Sequence, residues 1–293
     1  MIPGTLFIVG PTGSGKSAVA VEVAQHLNAE IINGDAFQIY RDMGILTAQP
    51  SARDLAMVPH HLYGFLDPSE DFDAARYATL ANAKIQEVMQ RGKQPIVVGG
   101  SGLYIKSLTH GLAELPPVDS EMRAVLMAMP PEVARTKLLA LDPAAPAHIN
   151  LENPRHVQRA LEICLLTGKP ASGYKKAWQE ASLVPCGVLL DLPRDLLYQR
   201  IDRRTRHMFE QGVVQEIQSL GPFSLTARKA LGLRDILTGA PPNEIIPDIQ
   251  QATRRYAKRQ LTWFRREKYF LPVDSHDEAV GRLCALLARA TNG

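Results

Sequence analysis

The feature that most constrains this chain is the run Gly10-Pro11-Thr12-Gly13-Ser14-Gly15-Lys16-Ser17, which satisfies GxxxxGK[ST]. It follows the apolar stretch Thr5–Val9 directly and opens a helix-period segment, the context that separates a phosphate-binding loop from an ordinary glycine-rich turn. Backbone N–H groups in such a loop, with the N-terminus of the next helix, converge on an anion. Lys16 adds a mobile positive charge, and the Ser17 hydroxyl can ligate Mg²⁺. All eight residues are therefore expected around a polyphosphate. The pattern is strong for polyphosphate binding and does not identify the ligand.

The loop also commits the chain to an α/β fold with ligands at the carboxyl ends of parallel strands. Short apolar runs at Thr5–Val9, Glu30–Ile32 and Pro95–Val98 alternate with helical spacing at Ala18–Leu27 and Tyr77–Met89, and Gly187–Leu190 reads as a further strand. Between 111 and 185 the pattern turns helical. Asp119 or Ser120 can cap a helix through Leu126, and Pro131–Leu141 reads as another. Asn153 and Pro154 start a third, with Val157, Ala160, Leu161, Cys164 and Leu165 on its apolar face and Gly168 and Pro170 ending it. The expected architecture is a P-loop core of mainly parallel sheet, residues 1–110 plus 186–293, with a helical domain inserted at 111–185. Hinges are expected near 111–118 and 168–173. Helices at Leu196–Gln211, Val213–Leu220 and Pro247–Arg266 fill the last third.

Net charge is only +3, yet residues 1–120 hold 8 basic and 12 acidic side chains, leaving 25 and 18 for residues 121–293. Any polyanionic partner is expected at the basic later part. Three scattered cysteines (Cys164, Cys186, Cys284) form neither a disulfide framework nor a zinc motif and suit a reducing cytoplasm. The N-terminal segment reads as a first strand and not as a signal peptide. No apolar run approaches the ~20 residues of a membrane span.

Two further segments should meet the phosphate loop. Asp35, just past the second strand, can coordinate Mg²⁺, act as a general base or merely cap a turn. After the third strand come Gly99-Gly100-Ser101, where an ATP hydrolase would often carry an acid; Ser101 offers a hydroxyl. Arg200 and Arg204, at i and i+4, either clamp phosphate or form a solvated face with Asp202. Residues 254–268 hold seven basic side chains against Glu267, interleaved with Tyr256, Trp263 and Phe264. That mixture suits RNA, although Ile249, Ala252, Tyr256 and Trp263 fall on one helical stripe that reads as core. His60-His61 lacks partners at metal-ligand spacing and reads as structural or hydrogen-bonding.

Together, GPTGSGKS, EIINGDAFQIYR, VPHHL, GGSGLYIKSL, NPRHVQRALEICLLTGKP, LYQRIDRRTRHM and TRRYAKRQLTWFRR resemble the tRNA dimethylallyltransferases over nearly the whole chain. The resemblance implies transfer of a dimethylallyl group from dimethylallyl diphosphate to N6 of the adenosine 3′ of the anticodon. It implies Asp35 as the base, Lys16 and Arg204 on the diphosphate, and Ser101 as donor to the leaving oxygen. It implies Mg²⁺ held partly by Ser17, and a helical insertion on the anticodon arm. Asp35, Ala36, Phe37, Gln38, Ser101, Arg123, Arg159, Ala160, Leu161, Glu162 and Ile163 would contact tRNA. A cytoplasmic monomer is expected.

Departures fall near the acceptor. The family usually has Asp-Ser where this chain has Asp35-Ala36, and threonine where it has Ser101. Asp-Ile-Gly-Thr-Ala-Lys-Pro becomes Gly44-Ile-Leu-Thr-Ala-Gln-Pro50, and Ile-Gly-Tyr-Lys/Arg-Glu becomes Leu231-Gly-Leu-Arg-Asp235. The alternatives are a small-molecule kinase, suggested by the loop and the arginine pair, and a tRNA-binding homologue with impaired catalysis.

Overall fold

A computed structural model describes residues 4–111, 120–174 and 186–291. Two compact units result: one from the residues up to Thr109 and from Val184 onward, the other from His110 to Leu183.

The first unit holds six strands, β1 (Leu6–Val9), β2 (Ala29–Asn33), β3 (His60–His61), β4 (Gln94–Gly99), β5 (Cys186–Leu190) and β6 (Leu271–Val273). They form one sheet in the order β3-β2-β4-β1-β5-β6, parallel at every pairing. Its helices begin with α1 (Lys16–His26), α2 (Gly44–Thr47), α3 (Ala52–Met57), α4 (Ala74–Gln90) and α5 (Gly102–Thr109). The second unit contains α6 (Ser120–Ala128), α7 (Pro131–Leu141), α8 (Ala145–His148) and α9 (Pro154–Thr167). The first unit resumes with α10 (Arg194–Glu210), α11 (Val213–Gln218), α12 (Leu233–Leu237), α13 (Pro242–Phe264) and α14 (His276–Thr291).

Every residue of β1 is buried, the signature of a strand covered on both faces. On one face Leu6, Ile8, Ile31, Ile96 and Val188 pack with Val19, Val23, Ala279 and Leu283 of α1 and α14. On the other, Phe7 meets Phe270 at 6.2 Å, and Tyr77 of α4 stacks on Tyr104 of α5 at 4.0 Å. β3 and β6 lie outside the expected strands: β3 is two histidines, and β6 is three residues long with Pro272 at its centre. The histidines of β3 are hydrogen-bonded: His61 Nε2 lies 2.6 Å from Glu30 and His60 Nδ1 2.9 Å from the Val58 carbonyl.

α13 begins five residues before the expected Pro247. Pro242 occupies its first turn, where a missing N–H costs nothing, and Pro247 is accommodated just beyond. Its buried stripe is Ile245, Ile249, Thr253, Ala257, Gln260 and Phe264. Of the stripe expected as core, only Ile249 is buried; Ala252, Tyr256 and Trp263 are half-buried on its flank.

The helical unit closes on itself. Leu126, Ala134, Leu138, Val157, Ala160, Leu161, Ile163 and Cys164 form its core. α9 runs from the Asn153 cap to Gly168, although Leu165 is exposed because the apolar face is narrower than its spacing implied. Asp142, fully buried, accepts the backbone N–H and the hydroxyl of Ser172 at 2.7 Å each. The hinge expected at 111–118 and the possible cap Asp119 lie outside the described residues, except Gly111. No helix among the described residues is long and apolar enough to cross a membrane.

Candidate active site

β1 ends in the phosphate loop and α1 starts at Lys16, with Gly15 in the left-handed region (φ 92) as its N-cap. Lys16 Nζ donates to the Pro11 carbonyl at 2.7 Å. Loss of solvent lowers the Lys16 pKa to about 8; Asp35 opposes the fall and the Arg204 charge adds to it. Two arginines one turn apart on α10 reach the loop: Arg204 donates to the Thr12 hydroxyl at 2.8 Å and Arg200 to the Ser14 carbonyl at 3.1 Å. Burial also pulls the Arg204 pKa down, against Asp35. Asp202, considered as their partner, instead pairs with Arg254 of α13.

β2 delivers Asp35. Buried Asn33 grips the turn, accepting the Asp35 N–H at 2.8 Å and donating to the carbonyls of Asp35 (3.0 Å) and Leu62 (2.9 Å). Asp35 Oδ1 accepts the Phe37 N–H at 3.0 Å, so the turn-capping role coexists with a carboxylate that lines the cavity. Gln38 donates its amide to the carbonyls of Thr47 and Ala48, leaving Oε1 as its acceptor. Those carbonyls close α2, whose N–H groups at Ile45 and Leu46 donate to Glu216 at 2.7 and 2.9 Å. Burial pushes the Glu216 carboxyl up while these hydrogen bonds pull it down, with burial prevailing. The altered Gly44–Pro50 segment thus has its own anchors, including Gln49 on the Tyr40 carbonyl at 2.7 Å.

β4 delivers Ser101. A Cβ at Gly99 would lie 2.0 Å from the Gly34 carbonyl oxygen, so the ends of β2 and β4 touch through bare backbone. Ser101 Oγ accepts the Ala36 N–H at 2.9 Å, tying the two turns together. Tyr256 of α13 lies beside Ser101 and Gln260; burial raises its phenol pKa, the nearby Asp35 adds to the rise and the two polar neighbours oppose it. Its ring lies 6.2 Å from that of Phe37.

A cavity of about 830 Å³ opens beside these groups, with Gly99 but not Ser101 on its wall. Thr12, Gly13, Gly15, Lys16, Ser17 and Asp35 line it, and so do Gln38 and Arg204. Gly10, Pro11 and Ser14 are buried behind the loop, Ser14 hydrogen-bonded to the Pro11 carbonyl at 2.9 Å. Arg203, Arg206 and His207 extend the lining in exposed positions. Asn33, Glu216 and Gln260 escaped the sequence reading. Only Gln260 left a signal, as a long polar residue inside a buried stripe.

In the helical unit, Glu162 is 2% exposed and pairs with Arg123 at 3.2 Å and Arg159 at 2.6 Å. Ala160, Leu161 and Ile163 do not face solvent as RNA contacts would: they are core residues, pointed inward by the periodicity of α9. Of the expected 159–163 contact run, Arg159 keeps an accessible side chain.

A family model described as IPP transferase matches residues 38–267. A tRNA dimethylallyltransferase of Akkermansia muciniphila is 44% identical over 280 residues, 93% of this chain and 95% of that one. The full-length tRNA isopentenylpyrophosphate transferase of Bacillus halodurans has a similar crystal structure, with a TM-score of 0.69 and 34% identity over 98% of this chain and 99% of that one. A eukaryotic dimethylallyltransferase described as acting on tRNA gives a TM-score of 0.79 at 28% identity, over 92% of this chain and 73% of that one.

Proposed function

The chain belongs to the tRNA dimethylallyltransferase (IPP transferase) family, and from that premise we propose how its cavity prenylates tRNA. It transfers the dimethylallyl group of dimethylallyl diphosphate to an adenosine N6 beside the anticodon, releasing diphosphate. The observation that carries this reading is one cavity holding an anion cradle and a carboxylate, Lys16 and Arg204 against Asp35.

The bond from N6 to the allylic carbon forms as the carbon–oxygen bond to diphosphate breaks. An exocyclic adenine amine is a weak nucleophile, so Asp35 takes its proton. Negative charge grows on the departing diphosphate, where the loop N–H groups, Lys16 and Arg204 meet it without reorganising. Ser101, its oxygen held by the Ala36 N–H, donates a proton toward the leaving oxygen. Gln38, both donors engaged, offers Oε1 to an amine N–H and so favours adenine over a carbonyl-bearing base edge. The adenine must leave its stack to reach this depth.

The residues fit a divalent ion held mainly by substrate oxygens and water. Ser17 stands exposed on the cavity wall beside Lys16, and among the described residues no three carboxylates, histidines or cysteines converge. Mg²⁺ held there in part by Ser17 supplies charge neutralisation to the diphosphate. On the acceptor side Arg123 and Arg159 of the helical unit, with Asp35, Ala36, Phe37, Gln38 and Ser101, engage the anticodon arm. The reading takes the enzyme as a cytoplasmic monomer. Incubation with dimethylallyl diphosphate and unmodified tRNA yields N6-isopentenyladenosine detectable by nucleoside mass spectrometry; no product from folded protein refutes the reading.

A further inference from the structure

We propose that Gln260 is a positioning residue for prenyl transfer: it braces the diphosphate loop against the Ser101 loop and so sets the spacing across which the leaving group departs. Gln260 sits on the buried stripe of α13, 5% exposed, where an apolar side chain would ordinarily pack. Burying an amide costs free energy unless both ends find partners. Here both partners are main-chain groups of the catalytic loops. Oε1 accepts the Thr12 N–H at 2.8 Å, and Nε2 donates to the Gly100 carbonyl at 2.8 Å. These partners fix the amide's orientation, because an N–H needs an acceptor and a carbonyl needs a donor.

The fit is tight on the Ser101 side. A Cβ at Gly100 would lie 2.3 Å from Gln260 Nε2 and 3.0 Å from the Gly10 carbonyl oxygen. The two loops therefore approach each other backbone to backbone, with the amide filling the gap. One helical turn earlier the half-buried Tyr256 lies beside Ser101 and Gln260, on the same side of α13 as the junction. Gln260 does not line the cavity and takes no part in bond making. It acts by holding Thr12, whose hydroxyl receives Arg204, at a fixed distance from Ser101. A side chain that donates and accepts at once, at this length, is what the junction requires.

The inference rests on the prenyl-transfer reading, and the test separates the two. Gln260→Met keeps the length and removes both hydrogen bonds; Gln260→Glu keeps the acceptor for Thr12 but sets a carboxylate oxygen against the Gly100 carbonyl. Thr253→Val, on the same stripe, controls for general damage to α13. We expect both Gln260 variants to lose roughly tenfold or more in single-turnover transfer, as misplaced reacting groups do, with tRNA affinity held within about twofold. Titration with inorganic diphosphate should show weaker binding, most in Gln260→Glu, whereas Thr253→Val keeps wild-type transfer and diphosphate affinity. If Gln260→Met does not fold, Gln260→Glu alone decides. Wild-type transfer and diphosphate affinity in the folded Gln260 variants, or equal losses in Thr253→Val, overturn the proposal. Absence of transfer in the wild type sinks the prenylation reading instead, and diphosphate titration still tests the brace.

Discussion

The two units bury polar groups for different ends. In the α/β unit Asn33 and Gln260 turn their amides onto main-chain groups of the turns around the cavity. In the helical unit Glu162 is spent on two guanidiniums that remain partly in solvent, Arg123 at 44% and Arg159 at 31% exposure. One unit fixes backbone, as chemistry on a small diphosphate demands. The other fixes the direction of charges and leaves them accessible, which suits a long, mobile polyanion. Burial alone does not distinguish these uses; the partner's identity does.

The contrast breaks most sharply at Asp35. Asp35→Asn preserves the turn while removing the proton acceptor, so single-turnover transfer should fall by about 10²–10⁴-fold with tRNA affinity largely intact in a filter-binding assay. A variant of wild-type rate would strip the α/β unit of its assigned chemistry. Next is Arg204→Gln, expected to lower transfer about a hundredfold and weaken diphosphate binding, again without moving tRNA affinity. Comparable loss of tRNA binding would place Arg204 on the acceptor side.

A smaller effect is expected from pH. Lys16 binds diphosphate as the ammonium, and with its pKa lowered to about 8 the charge is present below that pH and lost as pH rises through it. The KM for dimethylallyl diphosphate should thus be flat below about pH 8 and rise above it by up to about tenfold per unit, with no matching inflection in tRNA affinity. A KM still flat one unit higher would assign the anion's hold to the loop and arginines alone.

The smallest change belongs to the helical unit. Glu162→Gln removes the charge that orients Arg123 and Arg159, and should cost about 1–3 kcal/mol of stability on thermal unfolding. We expect tRNA affinity to fall a few-fold, about 0.5–1 kcal/mol, while inorganic diphosphate binds as before. Weakened diphosphate binding would erase the division of labour between the units.

The sequence made the central strands and the phosphate loop legible, because each is a local pattern of apolar run, glycine and polar residue. α7 and α9 matched their expected spans for the same reason, through Pro131 and the Asn153–Pro154 start. β3 carries only two histidines, and nothing local marks it as a strand. The inward turn of Ala160 and Leu161 was legible from helical periodicity, whereas Ile163 lies off the expected stripe and is buried all the same. Gln260 could not be foreseen in its role, since its partners lie 248 and 160 residues away in the chain. Asn33 and Glu216 likewise gain meaning only when loops distant in sequence converge.

The bare contact between Gly34 and Gly99 has a consequence for how this enzyme tolerates motion. Exposed side chains hop between rotamers on picosecond to nanosecond timescales, and a spacing built from them would be a moving average. The turns carrying Asp35 and Ser101 are instead mounted on main chain pressed against main chain, at the ends of two hydrogen-bonded central strands. Their separation is therefore as stiff as the sheet itself, and warming should degrade substrate capture by the arginines well before it alters the gap between proton acceptor and hydroxyl.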